Sequence, residues 1–465
     1  MRYDVAIVGS GFSAIAVSIN LLKLLPQSAS IAVIGDDPGF GRGTAYRTEF
    51  HLHRLNVPAG RMSVFPDMPN DFVDWLQRQG RAITPDDFAS RGDYGLYLRD
   101  TLAALLRSRD GRPRLEFVKA KATGCVNQYS SGTSFQLDNT DELLARNTVL
   151  CLGVGNANLP ISDTAIAEAA EARIIRNPWR LSWLSRVQPQ DDVCILGSGL
   201  TMIDQVLALR EHGHRGTIHV LSRRGLTPHA HGAHKAPVPP EYPADTRELS
   251  AVLATFRKQV RDGAEWRCLM DGLRSRTQAL WQELSRDQRA RFLRHALPWW
   301  NIHRHRISPA VANRFNALID AGSVVVHAGF IEAIGWKQDM AEIDYRPRGT
   351  SGKVAFAVDW IVNCTGMERA GIAHSPLLQE MKRDGMIQAD ELGLGIVVDA
   401  AARVIDSHQA ANPHIFAVGA LTAGRFWEIT AVPDIRVQAQ HVAGAVAAEV
   451  NGKENQQKLR AGIAI

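Results

Sequence analysis

Val5-Ala6-Ile7-Val8-Gly9-Ser10-Gly11-Phe12-Ser13-Ala14 is the stretch that decides the fold. An apolar run of strand length meets Gly-x-Gly, and an apolar helical pattern follows. The first glycine permits a tight turn, and the second lets a pyrophosphate approach the backbone. The helix that starts behind them aims free N–H groups and a positive dipole end at the anion. The same arrangement recurs at Val193-Cys194-Ile195-Leu196-Gly197-Ser198-Gly199-Leu200-Thr201-Met202. One such motif alone is as readily an ordinary strand–helix turn. Two in the same strand–helix setting predict two dinucleotide cradles, with electrons passing between their occupants. The expected fold class is α/β: two Rossmann-like dinucleotide-binding domains, with a β-meander and a helical insertion.

Working outward, residues 12–25 read as the first helix, which Pro26 ends, and Ser30–Ile34 as the second strand. The acid that holds a ribose belongs at the end of that strand. Gly35 stands where flavin enzymes most often carry Glu, so the ribose falls to Asp36 or to nothing. Residues 70–107 turn helical, and Leu115–Ala120 with the segment to 137 alternates as a β-meander. Asn147–Gly155 reads as a buried strand ending in glycines. The second unit opens near Asp192, continues through Thr217–Ser222, and closes with Asp359–Gly366. A region rich in Arg and Trp, 245–320, interrupts it. His414–Gly419 and a helix from about Asp434 return to the first unit. The expected division is 1–160 with 360–450 for the first domain, 190–240 with 320–366 for the second, and 245–320 as an insertion that caps the substrate. The paired cradles suggest duplication of one nucleotide-binding unit.

The chain has 465 residues, enough for two or three full cores, and its 45% apolar and 22% charged content is that of a globular protein. A net charge of +5 suits an enzyme of anionic cofactors. No basic stripe interleaved with aromatics points to nucleic acid. No apolar run reaches membrane-spanning length and the first strand begins almost at Met1, so a cytoplasmic protein without a membrane partner is expected. Five cysteines (Cys125, Cys151, Cys194, Cys268, Cys364) stand far apart, without the paired thiols that a disulfide reductase needs. Cys151, Cys194 and Cys364 lie in or beside strand-like runs and read as core.

Charge assigns the nucleotides. Arg223 and Arg224 follow the second strand of the second unit, where guanidinium forks suit the 2′-phosphate of NADPH. Asp36 at the matching place in the first unit would repel that phosphate and suits FAD. Further strand-end glycines, Gly153, Gly366 and Gly419, strengthen the two-cofactor reading.

These motifs, with Gly41-Arg42-Gly43-Thr44-Ala45-Tyr46, Leu55-Asn56-Val57-Pro58-Ala59, Gly199-Leu200-Thr201-Met202-Ile203-Asp204, Ser222-Arg223-Arg224-Gly225 and Trp427-Glu428-Ile429-Thr430 with Arg436, resemble a bacterial FAD/NAD(P)-binding family of YdhS-like proteins. The likeness covers nearly the whole chain, and the architecture is similar to that of flavin-containing and N-hydroxylating monooxygenases. It implies FAD and NADPH. FAD contacts are expected from Gly9, Gly11, Phe12, Ser13, Ala14, Asp36, Gly43, Ala45, Asn56, Met62, Ala122, Gly153, Gly419 and Thr430. NADPH contacts are expected from Gly197, Ser198, Gly199, Leu200, Thr201, Arg223, Arg224 and Gly366. Asn56 matches a loop Asn that lies near the flavin's reactive carbon in flavin-containing monooxygenases, where an amide gives preorganised electrostatic help; its structural alternative is an Asn that pins a turn. Arg42 would touch FAD phosphates or NADPH, and both are the catalytic candidates. Backbone N–H groups near Thr430 would face the flavin's pyrimidine carbonyls.

The fingerprint of ketone-oxygenating flavoenzymes is incomplete: Trp179 is present, but the preceding segment Arg173–Asn177 lacks its His. The leading expectation is therefore an NADPH-dependent FAD monooxygenase that uses molecular oxygen, through a flavin hydroperoxide, on a small nitrogen or sulfur nucleophile. The alternatives are hydride transfer from NADPH to a quinone or small acceptor, and a nucleotide-binding partner protein that docks through its insertion. His229, His231 and His234 suggest a mobile loop over nicotinamide or substrate rather than a metal site, since companion carboxylates and thiolates are missing. Glu428 reads as pocket lining, with a proton-carrying role as the lesser option. Arg304-His305-Arg306 could bind an anion but reads more readily as a solvated face. The sequence leaves substrate identity and oligomeric state open.

Overall fold

The computed structural model describes residues 1–37, 42–48, 50–108, 111–128, 132–153, 155, 158–233, 236–243, 245–366 and 371–462. Gly41 and His234 lie outside them. In chain order the strands are β1 (Arg2–Val8), β2 (Ser30–Ile34), β3 (Arg114–Val118), β4 (Ala122–Gln128), β5 (Gly132–Leu137), β6 (Glu142–Leu150), β7 (Ile174–Ile175), β8 (Val193–Leu196), β9 (Ile218–Ser222), β10 (Val324–Lys337), β11 (Met340–Pro347), β12 (Val354–Val358), β13 (Trp360–Asn363), β14 (Arg403–Ile405) and β15 (Ala411–Ala417). The helices that position the site are α1 (Phe12–Leu24), α2 (Gly43–Tyr46), α3 (Asp71–Arg78), α4 (Arg91–Arg107) and α5 (Leu200–Glu211). The insertion follows with α6 (Leu249–Arg261), α7 (Trp266–Leu273), α8 (Thr277–Glu283), α9 (Arg286–Arg291), α10 (Leu297–Arg304) and α11 (Pro309–Asp320). Last come α12 (Pro376–Arg383) and α13 (Val432–Gly462).

Among the described residues the strands make two sheets. The first is ordered β14-β15-β6-β1-β2-β3, with β5 also pairing β6, and the second β12-β11-β10-β9-β8-β13-β7. The central strands of each are parallel and follow one plan. β1 is flanked by β2 and β6, and β8 by β9 and β13. The register is equivalent too. Val8 sits level with Ile34 and Leu150, and Leu196 level with Leu221 and Asn363. In both units the strand order reverses beside the first strand, which puts a crevice at the carboxyl ends where ligands bind in such sheets. β1 and α1 bury almost every side chain, Val5, Ile7, Ile15 and Ile19 with no exposed surface, because sheet and α13 cover them from two sides.

Two expectations change. β3 is not part of a meander: it pairs in parallel with β2 from Ser30↔Arg114 to Ile34↔Val118. Alternation over so short a run does not distinguish a parallel edge strand from a meander arm, and the preceding α4 supplies the crossover. The antiparallel meander is β4–β5–β6. The expected ranges put residues 360–366 in both domains; β13 lies in the second sheet, which leaves this segment to the second unit alone. No helix among the described residues is long and apolar enough to cross a membrane.

Candidate active site

The two cradles are built alike, atom for atom, at their first glycine. Gly9 has φ +129°, its N–H donates to the Ile34 carbonyl, and a Cβ there would stand 2.4 Å from the Cys151 carbonyl oxygen. Gly197 has φ +100°, donates to the Leu221 carbonyl, and a Cβ would stand 2.2 Å from the Cys364 carbonyl oxygen. Only glycine fits such a turn. The second glycines differ in kind. Gly11 and Gly199 have ordinary negative φ, and a Cβ on either meets nothing within 4 Å. Both are N-caps without a side-chain cap, so no capping side chain takes up the first N–H groups of α1 and α5. An open, uncapped helix start beside a bare backbone fits a pyrophosphate.

Around the first cradle, α2 folds back over the turn: a Cβ on Gly43 would lie 3.2 Å from the Gly11 Cα. Arg42 packs its stem on α4, close to where a Cβ of Gly95 would stand, and Ala45 is exposed. Gly419 lies against Ser13, and its N–H donates to Gln438 on α13 at 2.8 Å. Gly153 follows β6 with open space at its Cα. Phe12 and Ala14 are core residues of α1, and Met62 is likewise buried, 2% exposed, so its side chain meets protein. Ala122 opens β4, half-buried, next to Lys121, which pairs with Asp36 at the carboxyl end of β2. Asp36 is largely exposed and bound to Lys121 at 3.1 Å.

In the second cradle the Ser198 hydroxyl donates to the Leu226 carbonyl at 2.5 Å and lies 2.9 Å from Ser222 Oγ, and Gly366 (φ +117°) follows β13 with open space at its Cα. Leu200 packs against the core of that unit and Thr201 is half-buried. The matched register places Arg223 where the first unit has Asp36. Arg223 is exposed, Arg224 half-buried, and neither has an ion-pair or hydrogen-bond partner among the described residues.

Asn56 lies on the seam between the units. It lines a small interdomain cavity with Leu200 and Ile203 of α5 and Ile307 of the insertion. Its carbonyl accepts from His231 Nε2 at 3.0 Å. Burial, then the nearby Arg306, push the His231 pKa down to about 4, so the ring is neutral and donates. Thus the loop of histidines is tied to the Asn56 segment. His229 packs on Trp266 and His303.

The Arg304–Arg306 run is not a solvated face. Arg304 and Arg306 are 12% and 3% exposed and pair with Glu428 and Asp271. Their partners lie far away in sequence, beyond the reach of any local pattern in the run. Glu428 accepts from Arg304 Nε at 2.8 Å and from Trp300 Nε1 at 2.5 Å. Burial alone would raise its pKa, but Arg304, His305 and the Trp300 N–H more than offset this and hold it below the carboxylate range. A carboxylate so held ties the segment before α13 to the insertion. Its neighbours extend the clamp: Trp281 stacks on Trp427 at 4.3 Å and Arg274 meets Asp434 at 2.7 Å. Thr430, exposed, donates its N–H to the Glu428 carbonyl just before α13.

All five cysteines are buried, and none forms a disulfide among the described residues. Burial raises the thiol pKa of Cys125, to about 12, and those of Cys151, Cys194 and Cys364. None of these four is an accessible thiolate, and the Cys268 side chain is likewise buried.

Residues 6–155 match a family model described as FAD-NAD(P)-binding. Uncharacterized proteins of Mycobacterium bovis and Mycobacterium tuberculosis are 22% identical to the chain, with 96% of each covered. Among solved structures, the fold is similar to an ornithine hydroxylase from Pseudomonas aeruginosa (TM-score 0.66, 15% identity, 97% of this chain and 100% of that one). It is also similar to an L-lysine 6-monooxygenase from Pseudomonas syringae (0.62, 19%, 96% and 99%). A cadaverine monooxygenase from Erwinia amylovora, bound to FAD, matches similarly (0.62, 16%, 97% and 95%). The chain is an α/β protein of two Rossmann-like sheets, and the first carries a FAD/NAD(P)-binding domain.

Proposed function

We propose that the chain is an NADPH-dependent FAD monooxygenase acting on a small nitrogen or sulfur nucleophile, nitrogen first. The observation that carries this reading is the pair of equivalent, uncapped cradles with Asn56 on the seam between them. The ornithine, lysine and cadaverine enzymes that share the fold all take amine-bearing molecules, which favours nitrogen. When bound, FAD supplies the two-electron chemistry that links NADPH to oxygen.

The chain's own residues bind and position. The N-termini of α1 and α5 hold the two pyrophosphates, with Gly11 and Gly199 giving close approach. Arg223 and Arg224, without ion-pair or hydrogen-bond partners among the described residues, would take the 2′-phosphate. Arg42, at the start of α2 with its stem packed on α4, would reach toward the FAD phosphates. Asn56 presents a side-chain amide at the seam, its backbone fixed by His231. The Thr430 N–H is taken by the Glu428 carbonyl, so it is the start of α13 behind it that would offer N–H groups to an anionic ring edge. The burial of every cysteine argues against a dithiol reductase, although related folds include such enzymes.

The test is a panel of ornithine, lysine, cadaverine and simple thioethers with NADPH under ¹⁸O₂. One ¹⁸O atom in product per NADPH consumed supports the proposal. NADPH oxidation that transfers no label, and that a quinone accelerates without oxygen, replaces it with simple hydride transfer.

A further inference from the structure

Two cofactors on separate units exchange electrons only if the units are held at one distance. We propose that Asp204 is the handle by which the first unit grips the second, and that Arg91 and His53 are the gripping, positioning residues. The inference rests on the two-cofactor reading above. Asp204 sits on α5, one turn behind the second cradle. Its carboxylate meets Arg91 at 2.8 Å, with side-chain exposures of 8% and 11%. The two charges touch without a linear hydrogen bond, and Asp204 Oδ2 has no other donor among the described residues. Its backbone carbonyl lies 3.3 Å from His53 Nε2. His53 is 1% exposed, and burial lowers its pKa, so its ring is neutral. A carbonyl accepts, so Nε2 carries the proton, and Nδ1 accepts from the Thr48 hydroxyl at 2.9 Å.

The grip is stiff because its two fingers are joined. The Arg91 N–H donates to the His53 carbonyl at 2.8 Å, and Arg91 Nε to the Arg54 carbonyl at 3.1 Å. Leu55 N–H donates to the Ala89 carbonyl at 2.9 Å, completing a stitch between segments 53–55 and 89–91. Asn56 is the next residue. One short segment of the first unit therefore carries Asn56 and also holds the helix that forms the second cradle. A shift in the grip moves the amide and the second nucleotide relative to each other.

The experiment compares the FAD-loaded wild type with Asp204→Asn, Arg91→Met and the double variant. Readouts are FAD content, NADPH affinity, the saturating rate of anaerobic flavin bleaching by NADPH, bleaching by dithionite, and hydrogen exchange over residues 48–56 and 200–208. A misplacement of about 1 Å costs on the order of 10²-fold when geometry limits a step. The expected result is a saturating NADPH rate down by about 10- to 100-fold, with FAD content, NADPH affinity and dithionite bleaching near wild type. Exchange rises on both segments, and the double variant is no worse than the worse single one. A wild-type rate, or a loss that lies wholly in NADPH affinity, overturns the proposal. If NADPH does not bleach the wild type, the proposed function fails by itself. Exchange then decides the grip: faster exchange on both segments sustains it, and unchanged exchange overturns it.

Discussion

Replacing Glu428 measures whether the clamp between insertion and first unit outweighs the backbone strain it holds. Glu428 has φ +64°, the left-handed region, which costs a residue with a Cβ about 1–2 kcal/mol. Its carboxylate is 9% exposed and is met by Arg304, itself 12% exposed, and by the Trp300 N–H. Truncation leaves a cation and an N–H buried without a partner, about 3–5 kcal/mol for Glu428→Ala. Glu428→Gly makes the same loss but relieves the left-handed strain, so it is expected to be more stable than the alanine variant by about 1 kcal/mol. That order is the reverse of an ordinary helix or strand position. The assay is thermal unfolding of the three FAD-loaded proteins, followed by flavin fluorescence and by circular dichroism, because a chain with several domains need not unfold in one step. The carboxyl is held below its ordinary range, so its contribution is complete above about pH 4.3 and fades only as pH falls through the lower folded value. Wild type and alanine curves should therefore converge in acid. A glycine variant less stable than alanine would show that no strain is stored at this residue. Variants within about 0.5 kcal/mol of wild type would show that the clamp contributes nothing.

Three further outcomes follow from the site. Changing Arg223 and Arg224 to Ala should weaken NADPH by about 1.5–3 kcal/mol for each charge-assisted bond lost and leave NADH nearly unaffected; equal losses in a titration of both nucleotides would remove these arginines from cofactor choice. Gly11→Ala should fold normally, since its Cβ meets only open space, yet lose FAD; Gly9→Ala should fail to fold, because its Cβ meets the Cys151 carbonyl. Gly11→Ala that retains FAD at wild-type affinity would mean no pyrophosphate approaches there. His231 stays neutral in the fold down to about pH 4, whereas the unfolded chain protonates it near 6.5. Stability should therefore fall as pH drops through that window, by about 3 kcal/mol in all, and His231→Gln, which keeps a donor for Asn56, should remove that part of the slope. A stability difference between the two proteins that does not vary with pH would contradict it.

What could be read from the chain was local. The glycines were legible because a turn with φ near +100° and a carbonyl at contact distance admits no other residue, and that constraint leaves its mark within a few positions. The strands before them and the helices after them were legible by apolar period. The twin plan of the sheets follows from reading the same motif twice. The sign change between Asp36 and Arg223 was legible for the same reason. The structure puts both at one register position, though Asp36 turns to Lys121 at the surface.

What escaped was every contact whose partner lies far along the chain. Arg304 reads as solvated until Glu428 is seen beside it, and Asp204 is an unremarked residue of a motif until Arg91 reaches it. Periodicity cannot find such pairs, because each member satisfies its own helix or loop. A charge in an otherwise apolar stretch could have raised the question: Asp204 follows Leu200-Thr201-Met202-Ile203 and precedes a helix face that is wholly buried. A buried carboxylate needs a cation, and a helix that starts at a nucleotide cradle has few neighbours except the other domain. That reasoning ties the unexplained charge to the seam, where the chemistry of two cofactors has to be aligned.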